Sequence, residues 1–208
     1  MNITGWGNNH IIDSKIVYPK NDEEIIQIIK LLKNDSIITR GLGRSYGDIS
    51  LNKNTLSLEK YEKFYELDEE TGTLECSANV SINEILEKIV NKGWFLNVSP
   101  GSKFVTIGGA IANDVHGKNH HKDGSFSDFI VELKLITPDG TIRICSNVID
   151  IELFRATCGG AGLTGVIVST KIRLLSIKSK NIIVRTFKTK NIKKTLEKFK
   201  ELQKSKYL

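Results

Sequence analysis

In the first forty residues, the pattern of apolar and polar positions predicts a strand, a helix and a second strand. Residues 14–18, SKIVY, are the first expected strand, and residues 36–40, SIITR, are the second. A helix is expected between them over residues 21–34, capped by Asn21 or Asp22. Its apolar positions recur at helical spacing, at Ile25, Ile26, Ile28, Ile29, Leu31 and Leu32. This order indicates a small α/β unit.

A second group of elements is expected further along the chain. Short apolar strands are predicted at residues 55–58 and 73–76, on either side of a polar segment, EKYEKFYELDEETG. Ser81 then opens a helix in which Glu84 completes a capping box. The expected buried face of this helix consists of Ile82, Ile85, Leu86, Ile89 and Val90. A short strand at residues 94–98 follows it.

The pattern then returns to strands. Residues 130–137 and 140–145 are predicted to pair as a hairpin, because the Pro-Asp-Gly sequence at their junction is a strong turn signal. A short helix is expected at residues 152–157, and a β-rich run at residues 166–175 follows a glycine turn. The mixture of helices and strands predicts an α+β protein.

Composition and charge narrow the range of functions that the protein can have. The 208 residues are 39% hydrophobic and 26% charged, as in an ordinary globular protein. The formal net charge of +6 arises from lysines scattered among 24 acidic residues, and no basic stripe appears before residue 178. A nucleic-acid role is therefore disfavoured.

Cysteine usage and the N-terminus predict a cellular location. Cys76, Cys145 and Cys158 are widely spaced and form no CxxC pair, which is typical of thiols in a reducing compartment. The first ten residues, MNITGWGNNH, have neither the basic nor the apolar region of a signal peptide, and no apolar run suggests a transmembrane segment. We expect a cytoplasmic protein, with peripheral contact at the inner membrane face as the alternative.

The glycine-rich loop at residues 41–48, GLGRSYGD, differs from the dinucleotide fingerprint that it superficially resembles. Its glycines follow the pattern G-x-G-x-x-x-G, one residue too long, and no amphipathic helix begins after it. Successive backbone N–H groups in such a turn can instead form a concave site for an anion such as a pyrophosphate, reinforced by Arg44 and Ser45. A plain turn between strands is the alternative.

The most unusual stretch is residues 98–128, which hold three of the four histidines among closely spaced glycines. Glycines of this kind mark positive φ angles or backbone that lies against a ligand, so the stretch predicts one wall of a cofactor site. His116, His120 and Asp123 have a spacing that suggests a metal site, but Gly117 interrupts any helix that would align them, and no metal is expected.

Four segments together resemble the FAD-binding half of flavoproteins of the vanillyl-alcohol-oxidase (PCMH-type) superfamily. These are RGLGRSYGD at 40–48, PGSKFVTIGGAIANDVHGKNHH at 100–121, DGSFSD at 123–128 and GGAGLTGVI at 159–167. Within that superfamily they look most like the decaprenylphosphoryl-β-D-ribose 2′-oxidases, whose N-terminus the TGWG at 4–7 also resembles. The resemblance implies an FAD cofactor.

The resemblance also implies where FAD would lie. The loop at residues 39–49 would wrap the pyrophosphate, Gly101 and residues 106–109 would lie along the cofactor, residues 116–119 would sit beside the isoalloxazine, and Ile167 would lie near the adenine end. The implied cofactor-binding residues are Thr39, Arg40, Gly41, Leu42, Gly43, Arg44, Ser45, Tyr46, Gly47, Asp48, Ile49, Gly101, Thr106, Ile107, Gly108, Gly109, His116, Gly117, Lys118, Asn119 and Ile167.

Three expectations concern the chemistry of this implied site. His116 is the candidate catalytic residue at the ring, with Tyr46 as a partner that faces substrate; a purely structural histidine is the alternative. His120 and His121 are expected to support the loop. Many members of the superfamily carry a flavin-linked histidine in the first glycine loop, where this chain has Arg44, so noncovalent FAD is expected.

The implied fold is α+β, a PCMH-type FAD-binding domain of two α/β lobes with the cofactor between them. It would occupy residues 1–175, with lobes at about 1–80 and 81–175. Residues 176–208 are then expected to form a connector and the start of a truncated substrate domain.

Two elements are expected in this last part, a strand at residues 181–186 and an amphipathic helix within residues 191–208. The basic helix marks either a solvated face or a surface for a partner or a membrane.

The implied activity is that of an FAD-dependent oxidoreductase that oxidises a sugar CH–OH group by hydride transfer to flavin N5. The expected donor is the 2′-hydroxyl of a polyprenyl-phosphoryl pentose in cell-envelope polysaccharide synthesis, with a short-chain reductase as a partner. An aldonolactone or alditol oxidase is one alternative. A noncatalytic FAD-binding module is another, because the substrate domain is missing from the chain.

Overall fold

The computed structural model describes residues 1–32 and 35–203. The chain divides into two compact units, Met1–Ile177 and Lys178–Leu208. Among the described residues, no helix is both long enough and apolar enough to span a membrane.

A three-stranded parallel sheet forms the first part of the first unit. Its strands lie in the order β3 (Lys15–Val17), β5 (Asn54–Ser57) and β4 (Ile38–Arg40). Helix α1 (Asp22–Leu31) makes the crossover that parallel strands require. Asn21 caps it, as predicted, by accepting a hydrogen bond from a backbone N–H of the first turn. The last two residues of the predicted helix lie outside the described residues.

The N-terminus forms a hairpin that the sequence did not predict. β1 (Asn2–Thr4) pairs antiparallel with β2 (Ile11–Asp13). Each strand has three residues, and Ile3 is the one fully buried side chain of the pair. Strands this short carry too little alternation to be recognised by periodicity.

A five-stranded antiparallel sheet forms the second part of the first unit. Its strands, in order, are β10 (Ile142–Cys145), β9 (Ile130–Ile136), β11 (Val166–Arg173), β7 (Thr73–Ser77) and β6 (Tyr65–Asp68). The predicted hairpin between β9 and β10 is confirmed, and Ile142 pairs with Ile136 beside its turn.

Strand β6 corrects two sequence-based expectations. It lies in the segment that the sequence analysis described only as polar. This strand gave no apolar pattern, because Leu67 is its only side chain that is not exposed. β6 and β7 both belong to the five-stranded sheet. The division between the two sheets therefore lies between Ser57 and Tyr65, rather than near residue 80.

Helix α2 (Ile82–Ile89) forms as predicted. Ser81 and Glu84 make the reciprocal hydrogen bonds of a capping box. Ile82, Ile85 and Ile89 are buried, and Leu86 and Val90 are partly buried. The strand that follows is shorter than expected, because only β8 (Trp94–Phe95) pairs, with β12 (Leu175–Ser176).

Helix α3 (Ile107–Ala112) was not predicted, since its sequence IGGAIA contains two residues of low helix propensity. Thr106 caps it by accepting a hydrogen bond from Gly109 N. A β-carbon at Gly108 would lie 2.9 Å from the β-carbon of Ala78, so glycine lets this helix pack closely on the chain after β7.

The remaining helices of the first unit are α4 (His120–Asp123) and α5 (Ile151–Thr157). Single turns of 3₁₀ helix occur at Leu58–Lys60, Val90–Lys92 and Phe126–Phe129. One hydrophobic core joins both sheets. The three cysteines are free thiols, of which Cys76 and Cys145 are buried in this core.

The second unit contains helix α6 (Ile192–Leu202), capped by the Asn191 side chain. The predicted strand at residues 181–186 is wrong, because the structure has no strand there. Its β-branched residues have high strand propensity, but a strand also needs a neighbour to pair with its backbone. The final part of the predicted amphipathic segment, residues 204–208, lies outside the described residues.

Candidate functional site

A cleft opens where the two sheets of the first unit meet. Its walls are formed by residues from five segments, within 39–50, 57–63, 78–79, 106–113 and 161–167. The first two segments follow strands of the three-stranded sheet, and the other three belong to α3 or adjoin the five-stranded sheet. The cleft thus lies between the two parts of the predicted α+β domain.

Arg40 holds the glycine-rich loop in place. Its guanidinium donates hydrogen bonds to the carbonyl oxygen of Thr4 at 2.6 Å and to Ser50 Oγ at 3.0 Å. Burial lowers the pKa of this guanidinium. Gly43 has a φ of +64°, and a β-carbon there would lie 2.2 Å from Arg40 Nη2. The Arg40 side chain therefore joins the two ends of the loop to the N-terminal strand.

The backbone of this loop leaves its donors free. Among the described residues, no backbone or side-chain acceptor takes a hydrogen bond from a backbone N–H of residues 42–50. The segment includes no proline, so every residue in it offers such a donor. A run of unpaired N–H groups in a glycine-rich turn is suited to binding an anion.

The N-terminal turn packs directly on the loop. Trp6 N donates to the carbonyl oxygen of Ser45 at 2.9 Å, and a β-carbon at Gly5 would lie 2.4 Å from the carbonyl oxygen of Gly47. The ring of Trp6 meets the ring of Tyr46 edge to face at 5.6 Å. The TGWG sequence therefore serves as the support of the loop.

The structure brings ten of the expected cofactor-binding residues into the lining of the cleft. These are Thr39, Arg40, Gly41, Leu42, Ser45, Ile49, Thr106, Gly108, Gly109 and Ile167. A separate, smaller depression is lined by Tyr46, Gly47 and Asp48 together with N-terminal residues. The other expected residues line neither of these two depressions: Gly43, Arg44, Gly101, Ile107, His116, Gly117, Lys118 and Asn119.

His116 and Tyr46, the two expected catalytic residues, have different surroundings. His116 is exposed, its Nδ1 lies 3.4 Å from the carbonyl oxygen of Gly117, and its ring centroid lies 4.9 Å from that of His120. Tyr46 is 82% exposed and rests on Trp6. In the described parts of the chain, no group of three or more His, Cys, Asp or Glu side chains is placed to hold a metal ion.

The loop that carries His116 is fixed by polar contacts of its own. Asn119 Nδ2 donates to the carbonyl oxygen of Asn97 and to Asp123 Oδ2, both at 2.9 Å. Asp114 Oδ1 accepts hydrogen bonds from the backbone N–H and the hydroxyl of Ser127. The Asn119 side chain is therefore a structural support of this loop.

Comparison with known proteins identifies the family. Residues 14–146, well over half of the chain, match the family described as an FAD binding domain. The chain belongs to the FAD-binding domain family. This membership confirms the resemblance inferred from the four motifs and the predicted α+β fold.

Individual relatives of the chain are oxidoreductases. It is 33% identical to a decaprenylphosphoryl-beta-D-ribose oxidase of Mycolicibacterium smegmatis, over 83% of this chain and 39% of that protein. It is 28% identical to an L-gulonolactone oxidase of Scyliorhinus torazame, over 81% of this chain and 39% of that protein. It is 27% identical to a D-lactate dehydrogenase of Archaeoglobus fulgidus, over 76% of this chain and 38% of that protein. The chain spans about two fifths of the length of these relatives.

The polar groups of the cleft fit an FAD molecule. The free N–H groups of Leu42, Ser45, Ile49 and Ser50, which line the cleft, suit its pyrophosphate. A β-carbon at Gly47 or Gly101 would meet no atom of the chain within 4 Å, so neither glycine is required by packing. Gly47 lines the smaller depression and Gly101 lines neither, so the open space at these two glycines does not belong to the cleft itself.

Asn79 is a cleft residue that the sequence did not reveal. It is 8% exposed, and its Nδ2 donates to the carbonyl oxygens of Leu58 at 2.8 Å and Tyr61 at 2.9 Å. These two acceptors fix the orientation of the amide. Among the buried side-chain polar atoms described, Asn79 Oδ1 alone lacks a hydrogen-bond partner.

Other lining residues were also missed, including Ser57, Glu59, Lys63 and Asn113. Ser57, Glu59 and Lys63 occur at or near the start of the segment judged merely polar, and Asn113 follows the unpredicted helix α3. Their participation depends on how the two sheets meet, for which local periodicity gives no signal. The glycines at 159–165, by contrast, did indicate the remaining wall.

Proposed function

We propose that this chain binds FAD noncovalently in the cleft and forms the cofactor-binding part of an oxidoreductase that oxidises a sugar CH–OH group. The observation that carries the proposal is the set of unpaired backbone N–H groups on the loop at residues 42–50, of which Leu42, Ser45, Ile49 and Ser50 line the cleft. A doubly charged pyrophosphate would satisfy these donors, which water alone satisfies otherwise.

The proposed orientation of FAD follows from the resemblance of the motifs to those of FAD-binding proteins. The loop at residues 39–49 holds the pyrophosphate, and Ile167, which is nearly buried in the cleft wall, lies at the adenine end. Gly101 and residues 106–109 lie along the cofactor, and residues 116–119 lie at its ring.

The proposed linkage is noncovalent because of Arg44. This residue stands at the position where related flavoproteins carry a flavin-linked histidine, and a guanidinium is not a nucleophile at neutral pH. Affinity must then come from hydrogen bonds and packing alone.

The proposed reaction removes a hydride from a carbinol carbon, while a base removes the proton of its hydroxyl group. When bound, FAD supplies a two-electron acceptor at N5. His116 would hydrogen-bond a substrate hydroxyl at the ring edge, and Tyr46 would contact the sugar from the other loop. The exposure of both side chains supports this assignment, because neither is committed to the core.

The proposed substrate is a polyprenyl-phosphoryl pentose, oxidised at its 2′-hydroxyl during cell-envelope polysaccharide synthesis. The similarity to a decaprenylphosphoryl-beta-D-ribose oxidase supports it. The similarity to an L-gulonolactone oxidase favours a sugar-lactone or alditol oxidase as the second candidate. A noncatalytic FAD-binding module is the third candidate.

The proposed setting follows from this substrate. Residues 1–175 are assigned to FAD binding, and residues 176–208 to a connector and the start of a substrate domain. A short-chain reductase is the proposed partner, which would reduce the ketone product. We place the protein in the cytoplasm, with peripheral contact at the inner membrane face, where a lipid-linked sugar would be encountered.

A visible absorption spectrum tests the cofactor. After incubation with FAD and gel filtration, the chain is expected to show flavin absorbance at a ratio of one FAD per chain. Acid precipitation is expected to leave the yellow colour in the supernatant. A colourless protein would overturn FAD binding, and colour retained in the pellet would overturn the noncovalent assignment for Arg44.

Anaerobic bleaching of that absorbance tests the reaction. Decaprenylphosphoryl-ribose is expected to bleach the loaded chain, whereas L-gulonolactone and free pentose are not. Bleaching by L-gulonolactone or an alditol alone would favour the second candidate. Binding of FAD without bleaching by any of these donors, and with normal bleaching by dithionite, would show that these 208 residues bind FAD without catalysing the oxidation by themselves.

A further inference from the structure

Asn79 places an unpaired hydrogen-bond acceptor in the wall of the cleft. The residue lines the cleft but is only 8% exposed. Both hydrogens of its amide group are used, since Nδ2 donates to the carbonyl oxygens of Leu58 and Tyr61. The remaining polar atom, Oδ1, is buried and accepts no hydrogen bond from the described residues. A buried acceptor without a partner is unfavourable, so a donor brought by a ligand would stabilise it.

The segment that carries Asn79 is joined to the wall of the cleft at Ile167. Ala78 N donates to the carbonyl oxygen of Val168 at 2.9 Å, so Asn79 and Ile167 adjoin this contact from the two strands. Leu58, Ala78 and Ile167 all line the cleft and are at most 6% exposed. The unpaired oxygen therefore lies near an apolar surface, which suits the face of a flat aromatic ring.

Acceptors predominate among the side chains at this end of the cleft. Glu59 lines it one residue after Leu58, and an ionised carboxylate accepts hydrogen bonds but cannot donate them. Lys63 also lines it, but its ammonium group is paired with Glu84 at 2.8 Å. The loop at residues 42–50, in contrast, presents backbone N–H donors. The cleft therefore has a donor-rich side and an acceptor-rich end.

We propose that this acceptor-rich end is a purine site, in which Asn79 Oδ1 accepts a hydrogen bond from the 6-amino group of adenine. The proposal rests on the proposed function, because the adenine is that of FAD, and it names the residue that selects this base. Oδ1 has almost no exposed surface, so the base reaches it through a small shift of the amide toward the cleft. The two carbonyl partners of Nδ2 hold the amide in the orientation that presents its oxygen.

Hydrogen-bond chemistry favours adenosine over the isoalloxazine ring at this end. Both rings are flat, but the single N–H group of an oxidised isoalloxazine lies between two ring carbonyl groups. Those carbonyl groups would face the oxygens of Asn79 and Glu59 without a hydrogen bond, which is unfavourable for buried polar atoms. Adenine carries its amino group without an adjacent carbonyl, and its ribose adds hydroxyl donors. The pyrophosphate and adenosine of FAD thus match the donor-rich side and the acceptor-rich end.

Binding of an FAD analogue to the unmodified protein tests the proposal. Flavin hypoxanthine dinucleotide has a carbonyl oxygen in place of the 6-amino group of FAD. It is expected to bind roughly 10-fold to 100-fold more weakly than FAD, because two acceptors would then face each other at Asn79. Equilibrium dialysis, read by flavin absorbance, measures both affinities.

Two alanine variants show which side chain makes the distinction. Asn79→Ala is expected to reduce the preference for FAD over the analogue to less than about threefold, since the buried acceptor is removed. Glu59→Ala removes an acceptor from the same end of the cleft and is expected to keep the full preference. Each preference is a ratio of two affinities of one protein, so a general loss of affinity does not change it. Circular dichroism checks that both variants fold.

Two results would overturn the proposal. One is equal affinity of the unmodified protein for FAD and for the analogue, a comparison that does not depend on the folding of any variant. The other is a preference that is lost in Glu59→Ala and kept in Asn79→Ala. In both cases FAD still binds, so the proposed function survives. If neither dinucleotide binds to the unmodified protein, the proposed function fails and the purine site fails with it.

Discussion

Glycine has two different uses in the loop after β4. At Gly43 the chain itself requires it, because φ is +64° and a β-carbon would meet Arg40. At Gly47 φ lies outside the left-handed region, and a β-carbon would meet nothing within 4 Å. Packing within the chain therefore does not require glycine at position 47.

A matched pair of alanine substitutions distinguishes these uses. Gly43→Ala is expected to lower the free energy of unfolding by about 1–2 kcal/mol, through backbone strain and displacement of Arg40. Gly47→Ala is expected to leave it unchanged within about 0.5 kcal/mol, or to raise it slightly. Urea unfolding of the FAD-free protein measures both.

The same Gly47→Ala variant is expected to bind FAD more weakly, since its methyl group would occupy space beside the pyrophosphate. Fluorescence titration with FAD gives this affinity. Unchanged affinity in Gly47→Ala, with normal stability, would show that the ligand does not approach the loop there.

Asn79 has a structural role in the wall of the cleft, because its amide holds two backbone carbonyl groups. Asn79→Leu leaves the carbonyl oxygens of Leu58 and Tyr61 unpaired and is expected to cost about 1–3 kcal/mol of unfolding free energy. Asn113→Leu is the control, because Asn113 also lines the cleft but is exposed. Equal losses for the two variants, measured by urea unfolding, would contradict a special role for Asn79.

At the scale of elements, helix α2 is stabilised by its capping box. Burial by itself would raise the pKa of the Glu84 carboxyl, but hydrogen bonds from Lys63 and Ser81 lower it to about 2. A carboxyl whose pKa is lowered by folding stabilises the folded state above its unfolded pKa. That contribution disappears as the pH falls from about 4.5 to about 2.

Glu84→Gln is accordingly expected to cost about 1 kcal/mol at pH 7, because the Lys63 pair is largely solvent-screened. The difference from the unmodified protein should shrink as the pH is lowered through this range. Glu87→Gln, on the exposed side of the same helix, is expected to cost less than about 0.5 kcal/mol. Urea unfolding at several pH values gives both comparisons, and a pH-independent cost would contradict the role of the ionised carboxylate.

Helices and strands could be predicted from the sequence where a local pattern of residues specified them. α2 has both a capping box and an apolar face, and the β9–β10 hairpin has a turn sequence between apolar runs. β6 and α3 had neither kind of signal. β6 forms because β7 offers it a pairing edge, and α3 forms despite its glycines because it packs on the chain near Ala78. Residues 181–186 show the opposite case. They have high strand propensity but form no strand, because they have no neighbouring strand to pair with.

At the scale of the whole first unit, Asp22 joins its two parts. This residue begins α1, beside the three-stranded sheet, and accepts a hydrogen bond from Lys134 Nζ of β9 at 2.7 Å. It also accepts one from the Tyr61 hydroxyl at 2.5 Å. Burial and this hydrogen bond raise the pKa of Tyr61. The contact lies across the junction that the cleft also occupies.

Asp22→Asn is expected to lower the unfolding free energy by about 2 kcal/mol, because a mostly buried carboxylate loses its charge-assisted bonds. Glu23→Gln is the control, since Glu23 is exposed in the same helical turn and shares the interaction with the helix dipole. Thermal unfolding of both variants checks this, and similar melting temperatures would show that the contact between the sheets contributes little.

Much of the candidate site could be predicted from the sequence. It is formed by glycine-rich turns, and such turns depend on residues that are close together in the chain. The loop at residues 41–48 and the glycines at 159–167 indicated two walls of the cleft, and α3, within the histidine stretch, forms a third. His116 and its loop remain a prediction for the ring side of the cofactor. Asn79, Glu59 and Lys63 could not be recognised, since each reaches the cleft only through the packing of the two sheets.

By itself, the sequence determined the family, the α+β class, the turns and the capped helices, all of which depend on residues close together in the chain. Tertiary structure decided the pairing of β6 and β7 with β11, the position of the junction between the sheets, and the free donors of the loop. These depend on which backbone groups meet across long sequence separations. Hydrogen bonding and packing between distant segments leave no local pattern by which they could be recognised.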